Sequence, residues 1–299
     1  MFTVLSAALF ASAVYAAPSP TVVPRAVTTL SVSDLNAYIP YTEMARATYC
    51  QASTAWDCGD ACAANADFKV DIAGGDGDSV QYYFTGYWPS KNTIVVAHEG
   101  TDPTQFESDL TDLNFVLDDL DSTLFPGAAS GAQVHSGFAD EQAKTATDIL
   151  ASVKSLLSAH SGASVTTIGH SLGGALAELD SLYLSLNLPS GTKISGVTFG
   201  TPRVGNPDYA TYFDSAVSNF TRVNNQQDPI PTLPPADFGF QHVAKEIHIL
   251  DTDSAVLCPG AEDTTDAQCI DQTEPSITDS DILNHLGPYQ GVYIGTIYC

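Results

Sequence analysis

Positively charged residues are scarce in this chain of 299 residues. Ten Lys and Arg stand against 35 Asp and Glu, which gives a formal net charge of -25 at pH 7. A surface this acidic repels phosphate backbones, so binding to nucleic acid is not expected. No apolar run reaches the roughly 18 residues that a membrane-spanning helix needs, so we expect no stable insertion into a membrane. With 44% hydrophobic residues the chain also departs from the composition of disordered proteins.

The first 25 residues have the composition of processing segments. Residues 1–16 are apolar and end in small residues, with Val14 and Ala16 at the −3 and −1 positions of a signal-peptidase site. They predict a signal peptide and hence secretion; a buried amino-terminal helix is the alternative. The Pro-rich residues 17–25 predict a short propeptide. Because no internal repeat or long linker follows, residues 26–299 are expected to form a single domain.

The six cysteines predict disulfide bonds, because an even number in a secreted chain is typical of a disulfide framework. Their pairing is not fixed by number alone, since six cysteines allow fifteen connectivities. Zinc binding at Cys58 and Cys62 is the alternative, but no further Cys or His lies nearby at ligand spacing, so no metal site is expected. The acidic runs 118–121 and 262–263 lack the pattern of a calcium loop and are expected to be solvated.

The sequence from residue 164 onward alternates between strand-like and helical patterns. Such alternation produces right-handed βαβ crossovers, so we predict an α/β fold with a mostly parallel central sheet flanked by helices. A meander of antiparallel strands is expected to precede it. The predicted strands are 68–72, 80–87, 92–97, 164–168, 194–199 and 220–225. The predicted helices are 138–160, 172–186, 207–216 and a helix over 31–50 that Pro40 breaks or kinks.

Ser171 is the candidate nucleophile. It lies in Gly169-His170-Ser171-Leu172-Gly173, a G-x-S-x-G motif between a β-prone run and a clear helix. In this context the motif predicts a sharp strand-to-helix turn that exposes the serine hydroxyl and leaves no space for side chains two residues away on either side.

A serine nucleophile needs a base and a carboxylate that orients the base. On an α/β sheet of this kind the chain order is Ser, then Asp or Glu, then His. Asp228 is the favoured acid because it follows a predicted strand at the carboxyl edge of the sheet. Three histidines follow Ser171, and His248 lies in an alternating strand, where a structural role is favoured. Order alone does not separate His242 from His285.

Several spaced motifs resemble those of the fungal secreted class 3 lipases, the Rhizomucor and Thermomyces lipase group with its related feruloyl esterases. The resemblance runs from about Ser31 to Cys299. The motifs are VHSGF (134–138), GHSLGGA (169–175), TFGTPRVGN (198–206), LPPADFGFQH (233–242) and NHL (284–286). The resemblance implies an α/β-hydrolase fold with a short lid helix. It also implies that His285 is the general base, that His242 is structural, and that Asp228 is the acid.

The resemblance further implies an oxyanion hole formed by the backbone N–H groups of Leu172 and Thr101, with the Thr101 hydroxyl as a further donor. The family usually carries Phe-Arg before the corresponding glycine, whereas this chain has His98 and Glu99. Because that arginine is absent, the family's way of anchoring the lid does not carry over. For His98 we expect a supporting role in the loop.

The resemblance places a mobile lid between Thr101 and residue 134. There Phe106, Leu110 and Leu113 have the spacing of one apolar helix face; a fixed surface helix is the alternative. The disulfide pairs implied by the resemblance are Cys50–Cys299, Cys58–Cys62 and Cys258–Cys269. The sole N-glycosylation sequon predicts a glycan on Asn219 if this residue lies at the surface.

The favoured function is that of a secreted serine hydrolase that cleaves acylglycerol esters at a lipid–water interface, without a cofactor and as a monomer. The first alternative is a feruloyl or other aryl-ester esterase on the same scaffold. A remote alternative is a non-catalytic protein that binds lipid or a polymer.

Overall fold

The computed structural model describes residues 26–50, 55–101, 115–262, 265–273 and 280–299. The predicted signal peptide (1–16), the predicted propeptide (17–25) and the lid residues Phe106, Leu110 and Leu113 lie outside the described residues. Within these ranges, no helix has both the length and the apolar character needed to cross a membrane.

The described strands and helices follow the predicted alternation. The strands are β1 (Thr28–Leu30), β2 (Lys69–Gly74), β3 (Tyr83–Trp88), β4 (Thr93–His98), β5 (Leu117–Asp119), β6 (Gln133–His135), β7 (Ser164–His170), β8 (Ile194–Phe199), β9 (Phe220–Asn225), β10 (Glu246–Asp251) and β11 (Ser254–Cys258). The helices are α1 (Val32–Asn36), α2 (Ile39–Ala47), α3 (Gly59–Ala63), α4 (Ser136–Ala159), α5 (Leu172–Asn187), α6 (Pro207–Ala216), α7 (Ile270–Thr273) and α8 (Leu283–Leu286).

Nine of these strands form one mixed sheet in the order β1-β11-β10-β9-β8-β7-β4-β3-β2. The five central strands, from β4 to β10, pair in parallel. Antiparallel strands complete both edges, with β2 and β3 on one side and β11 and β1 on the other. The predicted α/β class with a mostly parallel sheet is confirmed. The antiparallel edge beyond β10 was not predicted.

Helices cover both faces of the sheet because the buried strands are apolar on both sides. Along β4, Ile94 and Val96 face the cluster that contains α4, α5 and α6. Val95 and Ala97 face the opposite cluster, which contains α2. This packing fixes the strand ends from which the site residues project.

Two boundaries differ from the sequence prediction for local reasons. The break predicted in the helix over 31–50 is present, but it lies before Pro40, between the end of α1 at Asn36 and the start of α2 at Ile39. Pro40 itself lies in the first turn of α2, where its missing N–H is tolerated. The strand predicted from residue 80 begins at Tyr83. Val80 belongs instead to a turn in which its N–H donates to Asp76 Oδ1 at 2.9 Å.

Candidate active site

Ser171 occupies the turn between β7 and α5 with φ 59° and ψ −130°, a conformation that L-residues rarely adopt. The two flanking glycines permit this turn. A Cβ on Gly169 would lie 2.0 Å from the Gly173 carbonyl oxygen, and one on Gly173 would lie 2.3 Å from the carbonyl oxygen of His98. Larger residues at either position would therefore force the strand and the helix apart.

The two predicted oxyanion residues lie beside this turn. Leu172 is the first residue of α5, and the first N–H groups of a helix have no partner within the helix. Gly100, which directly precedes Thr101, approaches so closely that a Cβ there would lie 2.8 Å from Cβ of Ser171. The chain after β4 and the start of α5 thus meet at the candidate nucleophile.

His285 and Asp228 form a buried pair. The Nδ1–H of His285 donates to Asp228 Oδ2 at 2.9 Å, and the two side chains are 3% and 0% exposed. The second carboxylate oxygen of Asp228 accepts the backbone N–H of Ile230 at 2.9 Å. Both carboxylate oxygens are therefore engaged, which fixes the plane of the acid and with it the orientation of the imidazole. An imidazole whose orientation is fixed in this way is suited to proton transfer.

Gly200, directly after β8, lies against this pair with φ +53°. A Cβ at this position would lie 2.7 Å from Asp228 Oδ2 and 2.7 Å from His285 Nδ1. The glycine thus allows the backbone to approach the pair more closely than any other residue would.

Arg203 holds the loop that follows Asp228. Its guanidinium donates to the carbonyl oxygens of Thr232 at 2.5 Å and of Pro234 at 3.0 Å. It also pairs with Glu262 and, at 2.6 Å, with Asp271. Burial, followed by the hydrogen bond with Glu262, raises the pKa of Asp271 above its ordinary value. The expectation that Glu262 is solvated is wrong, because this carboxylate balances a buried arginine.

The other two histidines after Ser171 bond to backbone carbonyls. The Nε2–H of His242 donates to the Pro231 oxygen at 2.6 Å. Burial first, and then the charges of Arg222 and Arg203, lower the pKa of His242 well below its ordinary value. His248 bonds to the carbonyl oxygens of Gln268 at 2.5 Å and Gln226 at 2.8 Å. The structure brings only His285 of these three against Asp228.

Two groups of buried side chains lie next to the site, and of their members only His98 has a role predicted from the sequence, that of supporting the loop. His170 lies between Tyr49 and the backbone of His285. His98 donates to Asp180 Oδ2 at 2.8 Å, and Gln142 donates to the other oxygen of Asp180 at 2.8 Å. The second group ties the end of β4, and so the loop with Thr101, to α5 and α4. The sequence offered one indication of the His170 group, namely that His170 directly precedes Ser171.

The described cysteines form Cys50–Cys299, Cys58–Cys62 and Cys258–Cys269, the pairs that the resemblance implies. Glu246 lies close to the sulfurs of Cys258 and Cys269, but these sulfurs are bonded to each other and do not offer thiolate ligands. Asn219 is exposed, directly before β9 at the amino edge of the parallel strands and opposite the candidate site.

Comparisons with known proteins point to one family. Residues 95–238 match the family model for lipase (class 3). A lipase of Rhizomucor miehei is 30% identical over 282 residues, which cover 91% of this chain and 72% of that protein. A secreted mono- and diacylglycerol lipase of Malassezia globosa is 35% identical over 191 residues, 63% of this chain and 62% of that protein. One similar solved structure is a triacylglycerol lipase described as having a serine protease triad as its catalytic centre. Its TM-score is 0.78 at 28% identity, and the match covers 91% of this chain and 99% of that one.

Proposed function

This chain belongs to the class 3 lipase family, and on that premise we propose that it hydrolyses acylglycerol esters at a lipid–water interface. The observation that carries the proposal is the strained Ser171 turn, whose N–H donates to the carbonyl oxygen of Phe199 at 3.0 Å, directly before the Gly200 that lies against the buried His285–Asp228 pair. The similar triacylglycerol lipase with a serine protease triad supports the same chemistry on the same fold.

The reaction proceeds in two half-reactions. Ser171 Oγ attacks the ester carbonyl carbon while Nε2 of His285 accepts the hydroxyl proton, and a tetrahedral oxyanion forms. The imidazolium then gives this proton to the departing glycerol oxygen, so that the C–O bond breaks and an acyl-enzyme remains. Water, deprotonated by the same nitrogen, then attacks the acyl carbon. The imidazolium returns this proton to Ser171 Oγ as the bond between the acyl carbon and Oγ breaks, which releases the fatty acid and restores the free enzyme. Asp228 stabilises the imidazolium and keeps its Nε2 directed at the serine.

The backbone N–H groups of Leu172 and Thr101 donate to the oxyanion. Donors fixed by a helix start and a strand end do not have to reorganise as the charge develops. Each such donor typically lowers the barrier by about 3 to 4 kcal/mol. The His98–Asp180 bond supports the strand that leads to Thr101.

Exposed apolar side chains near the site support contact with lipid. Leu283, two residues before His285, is 66% exposed, and Phe238, in the loop held by Arg203, is 59% exposed. The ring of Phe238 meets that of Phe115, two residues after the predicted lid residue Leu113, with centroids 5.3 Å apart. Exposed apolar surface is typical of a region that binds an apolar partner.

A substrate panel tests the proposal: tributyrin, triolein, monoolein and methyl ferulate under one set of conditions. We expect hydrolysis of the glycerides to exceed that of methyl ferulate. Whether triolein or monoolein is preferred then separates a triacylglycerol lipase from a partial-glyceride lipase. Faster cleavage of methyl ferulate than of any glyceride would reject the lipase assignment in favour of an aryl esterase.

The protein is further proposed to be secreted, monomeric and glycosylated at Asn219. The leader-like residues 1–16, the three disulfides and the secreted Malassezia globosa relative support secretion. The exposure of Asn219 supports modification of the sequon. Intact mass before and after endoglycosidase treatment, compared with Asn219→Gln, tests the glycan. An unchanged mass in a secreting eukaryotic host would contradict it.

A further inference from the structure

His170, the residue directly before Ser171, is bonded at both ring nitrogens. Its Nε2 lies 2.7 Å from the backbone carbonyl oxygen of His285. Its Nδ1 lies 2.7 Å from the hydroxyl of Tyr49. All three residues are buried, and the rings of His170 and His285 have centroids 4.3 Å apart. One side chain therefore connects the nucleophile turn with the backbone of the proposed base.

These partners select one tautomer of His170. A carbonyl oxygen can only accept a hydrogen bond, so Nε2 must carry the proton. Nδ1 then accepts the hydroxyl proton of Tyr49, and neutral His170 satisfies both contacts. In the other neutral tautomer, the Nε2 lone pair would face the lone pairs of the His285 carbonyl and push this residue away. The Tyr49 hydroxyl thus favours the tautomer that holds His285.

A neutral ring at this position also suits the reaction. Burial first, and then the charge of the nearby His285, lower the pKa of His170 well below its ordinary value. The hydrogen bond to the His285 carbonyl raises this pKa, but by less. A positive charge on His170 would oppose formation of the imidazolium on His285, whose ring is only 4.3 Å away. The neutral ring lets His285 accept the serine proton without this repulsion.

Tyr49, the hydrogen-bond partner of His170, is itself held in place. Tyr49 is next to Cys50, which is bonded to Cys299, and Arg46 donates to the Tyr298 carbonyl at 2.6 Å. On the other side, the Tyr289 hydroxyl donates to the His285 carbonyl at 3.2 Å. The His285 carbonyl is therefore in contact with two buried side chains, those of His170 and Tyr289.

We propose that His170 is a positioning residue that holds His285 through its backbone carbonyl, and that Tyr49 sets the tautomer in which it does so. This inference rests on the proposed function, in which His285 is the base. It assigns a role in turnover to the buried histidine inside the nucleophile motif, which acts through the backbone of His285.

Three variants test this proposal: His170→Gln, His170→Leu and Tyr49→Phe. Gln places an N–H close to the position of Nε2 and can still donate to the His285 carbonyl, whereas Leu of similar volume cannot. We expect His170→Leu to lower kcat on a soluble ester about 10- to 100-fold, as for misplaced catalytic groups, with KM changed less than twofold. His170→Gln should recover most of this loss. The kcat of Tyr49→Phe should lie between that of His170→Leu and that of the native enzyme.

His248→Leu is the matched control, because His248 is also fully buried and also bonded at both ring nitrogens, in its case to two backbone carbonyls. It should lose stability but keep its kcat per titrated active site. Equal kcat for His170→Leu and the native enzyme, or equal losses in His170→Leu and His170→Gln, would overturn the proposal. If His170→Leu does not fold, a native kcat in Tyr49→Phe would overturn it. Failure of the proposed function would show differently, as turnover that persists in Ser171→Ala.

Discussion

Gly200→Ala should disable the site without removing any group that takes part in the chemistry. The added Cβ would lie 2.7 Å from both Asp228 Oδ2 and His285 Nδ1, about 0.7 Å inside the ordinary contact limit of 3.4 Å. Because the surrounding chain is closely packed, the His285–Asp228 pair has to move by a similar distance. A displacement of about 1 Å in a catalytic group can lower the rate roughly 100-fold. We therefore expect kcat to fall about 10- to 100-fold.

Backbone strain contributes separately to this variant. Alanine in the left-handed region costs about 1 to 2 kcal/mol relative to glycine. Gly162→Ala measures this cost alone, since Gly162 has φ +76° and open space where its Cβ would lie. Both variants should therefore lose a few degrees in Tm, but only Gly200→Ala should lose turnover.

The assay is hydrolysis of a soluble ester, with active sites counted by a fluorophosphonate, together with thermal unfolding of each variant. A native kcat in Gly200→Ala would refute the reasoning, because the predicted contact would then have no consequence for the pair. Equal losses of kcat in Gly200→Ala and Gly162→Ala would refute it as well, since strain alone would then explain the effect.

Three further outcomes are expected. Burial raises the pKa of Glu178 from its ordinary value of about 4.5 to about 8. Because the unfolded chain loses this proton at a lower pH than the folded protein does, the native protein loses stability as the pH rises from about 4.5 to about 8. Glu178→Gln should therefore match the native protein at pH 4 and exceed its unfolding free energy by a few kcal/mol at pH 8; a gap independent of pH would contradict this. His242→Ala should lower Tm while keeping kcat within several-fold, because its bond to Pro231 supports a loop; a loss of several orders of magnitude in kcat would contradict this. Hydrolysis of tributyrin should rise sharply above its solubility limit, less so on emulsions with anionic phospholipid because of the net charge of -25, with partial recovery in salt. Simple saturation through the limit would argue against a lid.

Much of the fold could be predicted from local patterns. The bounds of β8, α6 and β9 agree with the prediction, because each is a strongly periodic segment between clear turn residues. The strand start at Tyr83 and the break before α2 depend on a single side-chain bond and one proline. Such details depend on single local interactions, which the periodicity of apolar residues does not reveal.

The candidate site, like the fold, could be predicted from the sequence only in part. Chain order and the resemblance led to Asp228 and His285, which the structure places 2.9 Å apart, while their catalytic roles stay predictions. The bond between Tyr49 and His170 joins residues 121 positions apart, and that between Arg203 and Glu262 joins residues 59 apart. No local pattern marks such partners, because their contact exists only after the sheet has formed.

Covalent labelling with a phosphonate analogue of an acylglycerol, followed by peptide mapping, tests the central claim most directly. The account predicts one adduct per molecule on Ser171, formed in proportion to the loss of glyceride hydrolysis, and no adduct in Ser171→Ala. Labelling of another residue, or glyceride hydrolysis that survives complete labelling of Ser171, would contradict it.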